Sequence, residues 1–550
     1  MSAALAVYWN SASYGFVYDD LEGILNNPLI TGFSRLSQAM QFFGEPWRPV
    51  TQFSYALTFY FAGAGPRAFH ITNILIHAIN SLLVYAIARQ AAKRWMPAEK
   101  AKVFALAAGL IHAVHPVYSE AVSYIWGRSS SLCASFYFGS LLSTMIGYEK
   151  HGRKKSLWYG CAALSAILAW KTKEEAITLP LLIAGFFALA GSWRASAGMI
   201  LVPAAVAAMR WSDIVRLYTK VKENQALVAA GSAPALDPFP YALTHIKASA
   251  LYYLRMFLFP VNQNADPYIT PVTRLADPLF LVSALVLVSL AVWGIVSARK
   301  CPAVSFALMS LVVSPLMAYM VMPLADVVAE HRVYVAGLGF DLLAAWFLSN
   351  LPRYHHAALA AAALGLGLLA FQRNEVWASN LTLWKDAERK SPELARPHLN
   401  LGLAYQNAGQ AEAALAEYRH ALAVNPNLVA GYVNLGGIHF SRNDLDSAER
   451  ALQKAAELSP SLAGPYVDLA VIALRRNRAA DALELLEKAA ALEDSYFIHL
   501  NKGDALAQLG RYEEAVREYN RTIEMRPGLP GLKQKIEERL RWLRSIGAIR

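Results

Sequence analysis

Apolar residues cluster heavily in the first two thirds of the chain and thin out after Phe371. Before that point come many runs of roughly 17–22 mostly apolar residues, the length needed to cross about 30 Å of hydrocarbon. Predicted spans lie near 68–90, 102–122, 130–148, 156–170, 175–191, 196–210, 277–297, 302–321, 333–349 and 356–371. The opening "MSAALAVYWN" adds a stub helix, too short for a full span. It has no basic n-region and no clear small-residue cleavage site, which argues against a cleavable signal peptide. The stretch 241–259, "YALTHIKASALYYLRMFLF", carries His245, Lys247 and Arg255. That content suits an interfacial or partly buried helix better than a crossing. The pattern predicts about eleven spans. From Gln372 onward the chain is polar, charged and rich in Ala and Leu. A membrane domain over 1–371 is thus expected ahead of a water-soluble tail, all of it α-helical.

Charge adds orientation. The chain carries a formal net charge of +11, but many of its Lys and Arg sit in short loops between spans, where the positive-inside rule accounts for them. A nucleic-acid partner is therefore not expected. "RQAAKRWMPAEKAK" (Arg89, Lys93, Arg94, Lys100, Lys102) and "EKHGRKK" (Lys150, Arg153, Lys154, Lys155) mark the cytoplasmic side. Arg299 with Lys300, and the weaker loops around Arg194 and Arg353, join them. Alternation then puts the loops "YDD", "HPVYSEAVSYIWGR", "KTKEEA" and "AEHRVY" on the opposite face, together with the tail. The three cysteines, Cys133, Cys161 and Cys301, lie in or beside apolar segments and predict no disulfide framework.

The tail repeats itself. "NLGLAY" at Asn400 returns as "NLGGIH" at Asn434, "DLAVIA" at Asp468 and "NKGDAL" at Asn501, spaced 34, 34 and 33 residues apart. Ala414, Ala448, Ala482 and Ala515 keep step, as do Pro426, Pro460 and Pro527, with Asp494 in place of a fourth proline. This is the tetratricopeptide pattern of paired helices with small residues at their contact and proline ending the second. Trp384, Ala387 and Pro392 fit the second half of a preceding repeat. The expected layout is a connecting helix or half repeat over 372–394, four repeats over 395–529 and a capping helix over 530–550. Such arrays stack into solenoids with a concave binding face. Asn400, Asn434, Asp468 and Asn501 share one place in each first helix. A row of carboxamides there offers donors and acceptors to an extended peptide backbone, and resembles the asparagine ladder of the O-GlcNAc transferase superhelix. The competing reading is that these groups merely solvate the groove.

Polar side chains in the apolar part mark candidate chemistry. His70, Asn73, His77 and Asn80 fall on one helical face, and His112, His115 and Ser119 form a second stripe. Such residues hydrogen-bond helix to helix or line a substrate cavity; His70, His77, His115 and Glu120 are the cavity-lining candidates. An HxxH pair without a third ligand at fixed spacing does not make a metal site, so neither metal nor cofactor is expected. On the loop face, Asp19 and Asp20 are accompanied by Trp47, Arg48, Glu120, Arg128, Lys171, Lys173, Glu174, Glu175, Glu330, His331 and Arg332. A carboxylate can take a proton from a hydroxyl nucleophile, and Arg or Lys can hold a departing phosphate.

These stretches in order resemble the transmembrane, tetratricopeptide-containing O-mannosyltransferases, a family of the GT-C glycosyltransferases. The matching pieces are "GFVYDD" with "ILNNP", "WRPVTQFSYALTFY", "FHITNILIHAINSLLVY", "HPVYSEAVSYIWGRSSSL", "KEEAITLP" and "EHRVYVAGLGF", closed by the repeats. The resemblance implies a GT-C-type helix bundle and an inverting transferase. It would move a sugar, mannose in this family, from a polyprenyl-phosphate donor to Ser/Thr hydroxyls of a protein acceptor at the non-cytoplasmic face of a lipid bilayer. The family places its catalytic carboxylate in the first external loop. By this carry-over Asp19 is the general base and Asp20 orients the acceptor or shares the role. Arg48, Arg128, Lys173, Glu174, His331 and Arg332 are the candidates for donor phosphate and substrate. The repeats would bind the acceptor peptide. The Ala-rich, compact sequence points to a bacterial inner membrane with a periplasmic array, or to the endoplasmic reticulum in a eukaryote. Two alternatives stay open: a lipid or polysaccharide acceptor, and an inactive scaffold presenting the array.

Overall fold

The computed structural model describes residues 1–44, 48–199, 236–319, 326–351, 353–526 and 531–548, which contain helices and no strand. Trp47 and Pro527 lie outside the described residues, as do all but the first four residues of the expected span 196–210 and the last two of 302–321. The chain divides into two compact units, one holding the N-terminal helices through Ser391 and the other beginning at Pro392.

In the first unit the longer helices are α1 (Ser2–Tyr8), α2 (Pro49–Ala62), α3 (Pro66–Trp95), α4 (Ala98–Val114), α5 (Arg128–Tyr148), α6 (Gly152–Thr172) and α7 (Leu179–Leu189). They are followed by α8 (Pro238–Ala248), α9 (Pro278–Ser297), α10 (Pro302–Tyr319), α11 (Gly337–Ser349), α12 (His355–Glu375) and α13 (Asn380–Lys390). One apolar core runs through this unit from Tyr8 to Ala370. The stub α1 joins it by burying Ala4 and Tyr8. Helix α4 stops at His115 because Pro116 disfavours helical backbone before it. The chain bends there by 48° and resumes as the short helix Ser119–Ser123. Glu120 lies in that short helix and Tyr124 caps it.

Among the described residues three helices, Pro66–Trp95, Pro278–Ser297 and His355–Ala378, are long and apolar enough to cross a bilayer, and the bent pair around His115 makes a fourth. The expectation of eleven spans exceeds this. Helices α7 and α11 have 11 and 13 residues, α5 is laced with serines, and α6 carries Arg153, Lys154 and Lys155 at its start. The stretch expected to be an interfacial or partly buried helix takes the second form and is built into the core. Beyond α8 the helix continues as a π-helical turn, Ser249–Leu254, and then Arg255–Leu258. Ala248, Tyr252, Tyr253, Met256 and Phe257 are all buried there.

Residues 372–394, expected as a connecting helix or half repeat, contain a helix of the first unit. Helix α13 packs within the first unit, with Leu383, Trp384 and Ala387 buried. The second unit then holds four helix pairs: Ala395–Asn407 with Ala411–Val424, Val429–Ser441 with Leu445–Leu458, Ala463–Arg475 with Ala479–Leu492, and Tyr496–Gln508 with Tyr512–Met525. Leu532–Ser545 follows as a cap, burying Leu532, Ile536 and Leu543. Ala414, Ala448, Ala482 and Ala515 are fully buried where paired helices meet. Each pair turns through a left-handed residue, Gly409, Asn443, Asn477 and Gly510 in order, and Gly and Asn are the residues that tolerate that conformation.

Candidate functional site

The loop after α1 separates its two acids. Asp20 is buried. Its Oδ2 accepts the Val17 N–H at 3.0 Å and its Oδ1 the Trp126 N–H at 2.8 Å. Burial pushes its carboxyl up to about 8, outweighing those two N–H groups. Asp19 is exposed, and its Oδ2 accepts the Tyr124 hydroxyl at 3.0 Å. Of the pair, Asp20 holds the loop against residues 124–126, while Asp19 faces solvent. Tyr124 in turn stacks on Trp377, ring centres 5.0 Å apart. Tyr18, the residue before Asp19, has a φ of 50°, sparsely populated for a non-glycine residue.

One helical turn before Tyr124 stands Glu120. Its Oε2 accepts the Glu330 N–H at 2.9 Å, and its Oε1 meets His331 Nδ1 at 2.6 Å. Burial, with Lys173, Arg332 and Arg48 nearby, holds the imidazole of His331 neutral against the pull of Glu175. A neutral ring that gives its Nδ1 proton to Glu120 keeps a lone pair on Nε2. Arg332 donates Nη1 to the Asp326 carbonyl at 2.6 Å.

Four further loop charges are paired. Arg48, with φ 47°, grips Glu174 with two teeth, Nη2 to Oε1 at 2.6 Å and Nε to Oε2 at 3.2 Å. Burial works against an anionic Glu174, but Arg48 and Lys173 prevail and hold its carboxyl down at about 2. Lys173 is buried, with its ammonium on Ser130 Oγ at 2.6 Å and on Glu175. Desolvation lowers its pKa, and Glu175 opposes the shift.

Two groups of sequence candidates are placed otherwise than expected. Arg128 is sealed in the core: Nε donates to Asn73 Oδ1 at 2.7 Å, Nη1 to the Ser54 carbonyl and Thr58 Oγ1, both at 3.0 Å, and Nη2 to the Phe69 carbonyl at 3.1 Å. With its guanidinium also over the Tyr55 ring, it knots helices together and does not present itself to a phosphate. The cavity-lining set His70, His77, His115 and Glu120 is entirely buried. His77 Nδ1 meets the Tyr334 hydroxyl at 2.6 Å, and His115 Nε2 meets the Phe257 carbonyl at 3.1 Å. His70 Nε2 lies 3.4 Å from the Gly15 carbonyl. These are ties between segments, the other of the two roles open to such residues. His112 belongs to the same web, with Asp341 at 2.7 Å on Nδ1.

Several partners of Glu330 were not legible as site residues. Glu330 accepts from Tyr252 at 2.8 Å and the Asn264 N–H at 2.7 Å on Oε1, and from Gln263 at 3.1 Å and Arg373 at 3.4 Å on Oε2. The π-helical turn lets the adjacent Tyr252 and Tyr253 both reach the 329–330 stretch, Tyr253 donating to the Ala329 carbonyl. Polar residues within "ALYYL" and "NQNADP" were the available signal. In the second unit Asn400, Asn434 and Asn501 are half-buried and Asp468 is exposed. Asn501 spends one amide proton on its own helix, at the Phe497 carbonyl 2.8 Å away.

Comparison with known proteins bears on the whole arrangement. A protein O-mannosyl-transferase of Caenorhabditis elegans is 25% identical over 448 residues, covering 77% of this chain and 61% of the relative. Protein O-mannosyl-transferase TMTC3 of Homo sapiens is 26% identical over 478 residues, covering 76% of this chain and 50% of the relative. The chain is a relative of the protein O-mannosyl-transferases. Protein O-mannosyl-transferase Tmtc1 of Drosophila melanogaster reaches 32% identity over a shorter 193 residues, 32% of this chain and 21% of its own. The chain spans about half to three fifths of the length of the first two relatives. Residues 399–463 and 467–530 match the tetratricopeptide repeat family. Among solved structures, a thermophilic TPR protein of Thermus thermophilus is 22% identical, covering 32% of this chain and 95% of its own, with a TM-score of 0.27.

Proposed function

We propose that this protein is a multi-pass membrane glycosyltransferase. It moves mannose from a polyprenyl-phosphate donor to a Ser or Thr hydroxyl of a protein acceptor. The observation that carries the reading is the solvent-facing Asp19 carboxylate, held by Tyr124 one helical turn from the Glu120–His331 pair. In the reaction Asp19 takes the hydroxyl proton as the acceptor oxygen bonds to the sugar's anomeric carbon. The bond from that carbon to the phosphate oxygen breaks on the opposite face, which inverts the configuration. The departing polyprenyl phosphate carries the negative charge away, stabilised by Arg332 and the charge around His331. Arg48 and Lys173 carry carboxylate partners, so a phosphate reaching either must displace Glu174 or Glu175. The four repeats supply a groove for the acceptor chain. No metal or cofactor has a role in the reading.

The about eleven spans, with array and site loops on the non-cytoplasmic face of a bacterial inner membrane or an endoplasmic reticulum membrane, complete it. Reporters fused after Phe371 and within "EKHGRKK" should read opposite sides. The chemical test is Asp19→Asn in the full chain, assayed with polyprenyl-phosphate mannose and a Ser/Thr peptide. Transfer should fall by at least about 100-fold, the scale of general acid–base contributions, with expression unchanged. Near-normal transfer would remove Asp19 from the chemistry.

A further inference from the structure

Asp19 is placed by two neighbours, and both are braced from one short segment. Its covalent neighbour Tyr18 donates its N–H to Asn380 Oδ1 at 2.8 Å and sets its ring edge-on to Trp384 at 5.1 Å. Its hydrogen-bond donor Tyr124 stacks on Trp377 at 5.0 Å with 17° between the planes. The Gly15 N–H closes the same contact on the Ala378 carbonyl at 3.3 Å. All these groups come from residues 377–384.

The segment is itself rigidly started. Ser379 and Thr382 form a capping box at the head of α13, each satisfying the other's backbone N–H. Asn380 and Trp384 then stand four residues apart on one helical face, and both meet Tyr18. That residue needs the support. Its ring is 37% exposed, and its φ of 50° is held against the ordinary preference of a non-glycine residue. Strained backbone of this kind persists only where the surroundings over-determine it, and it clusters at functional sites. Relaxing φ at Tyr18 would swing the next residue, Asp19, out of reach of Tyr124.

We propose that Asn380 and Trp384 are positioning residues for Asp19, clamping Tyr18 in its left-handed conformation so that the carboxylate meets the acceptor hydroxyl. Both act through Tyr18. The inference rests on the reading of Asp19 as the base. It also makes α13 part of the transferase machinery and not the start of the repeats.

The test uses the full chain in lipid nanodiscs with polyprenyl-phosphate mannose and a Ser/Thr peptide. Asn380→Leu removes the acceptor oxygen at similar size, and Asn380→Asp keeps an oxygen there. The leucine variant should lose about 10- to 100-fold in kcat, the cost of displacing a catalytic group by about 1 Å, with the donor KM within about twofold of wild type. The aspartate variant should recover most of kcat. Amide exchange gives a readout apart from activity: the Tyr18 amide should exchange about tenfold faster in the leucine variant and near the wild-type rate in the aspartate variant. Trp384→Ala should loosen the same amides, Gly15 to Asp20, and leave the core helices protected. Wild-type kcat in Asn380→Leu, equal losses in both Asn380 variants, an unchanged Tyr18 amide, or exchange that spreads through the core would each overturn the proposal. Asp19→Asn run alongside keeps the two ideas apart. If it is inactive while Asn380→Leu is normal, only the clamp fails; if it is active, the reading of Asp19 fails.

Discussion

Arg128→Lys tests whether a basic residue near the loops around Asp19 serves the substrate or the fold. The guanidinium makes four hydrogen bonds of 3.1 Å or less, to Asn73 at 2.7 Å, to the Ser54 carbonyl and Thr58 at 3.0 Å each, and to Phe69 at 3.1 Å. It also lies 4.5 Å from the centre of the Tyr55 ring. A lysine ammonium is a compact charge on a thinner stem, and it can satisfy about two of those acceptors at once. Two charge-assisted bonds at about 1.5–3 kcal/mol each would go, and the buried charge would be less well compensated. The expected loss is ~3–5 kcal/mol of stability, a large part of what a domain possesses. Denaturant unfolding in detergent micelles and cellular abundance both report it. Donor binding per folded molecule, measured by titration with polyprenyl-phosphate mannose, should stay within about twofold, since a shift of 1.4 kcal/mol is needed for a tenfold change. A variant as stable as wild type that binds donor about tenfold more weakly would refute the reasoning and return Arg128 to the phosphate.

Other expectations follow from the same geometry. Glu174→Gln should cost stability at neutral pH: a carboxyl moved from 4.5 to about 2 contributes up to ~3 kcal/mol, trimmed to ~1–2 kcal/mol by partial solvent access. The wild-type advantage is complete above about pH 5 and disappears as pH falls toward about 2, so paired unfolding curves across that range check it. Arg332→Ala should weaken donor binding more than acceptor binding in titrations, with Arg332→Lys recovering only part because it lacks the planar fork. Replacing Asn400, Asn434 and Asn501 together by Ala should weaken a long acceptor by roughly 10- to 300-fold, at about 0.5–1.5 kcal/mol per hydrogen bond. Asn501 should give least, because its amide is already bound to Phe497. Short acceptors should be unaffected, and equal handling of both lengths would make the row a solvated face.

What the sequence determined by itself is what repeats or is local. The 34-residue period is a pattern of small residues and helix ends that recurs four times, so the array could be read without knowing any distant contact. The left-handed turns at Asn443 and Asn477 follow from residues that tolerate that backbone. The polar stripe of His70, Asn73, His77 and Asn80 is likewise a one-helix property, whereas the break at Pro116 falls inside the span expected over 102–122. What only the tertiary structure decided is which member of each chemically equal set is buried. Asp19 and Asp20 are adjacent and identical in type; one faces solvent because the other is sealed by the backbone N–H of Trp126, more than a hundred residues away in the chain. Arg128 and Arg332 are both loop arginines in sequence and both are buried, but Arg128 is knotted to Asn73 and the helix ends around it while Arg332 reaches the Asp326 carbonyl. Trp384 has the spacing of a repeat residue, yet Asn380 and Trp384 close on Tyr18. Burial is a sum over contacts from remote parts of the chain, and no local pattern carries that sum.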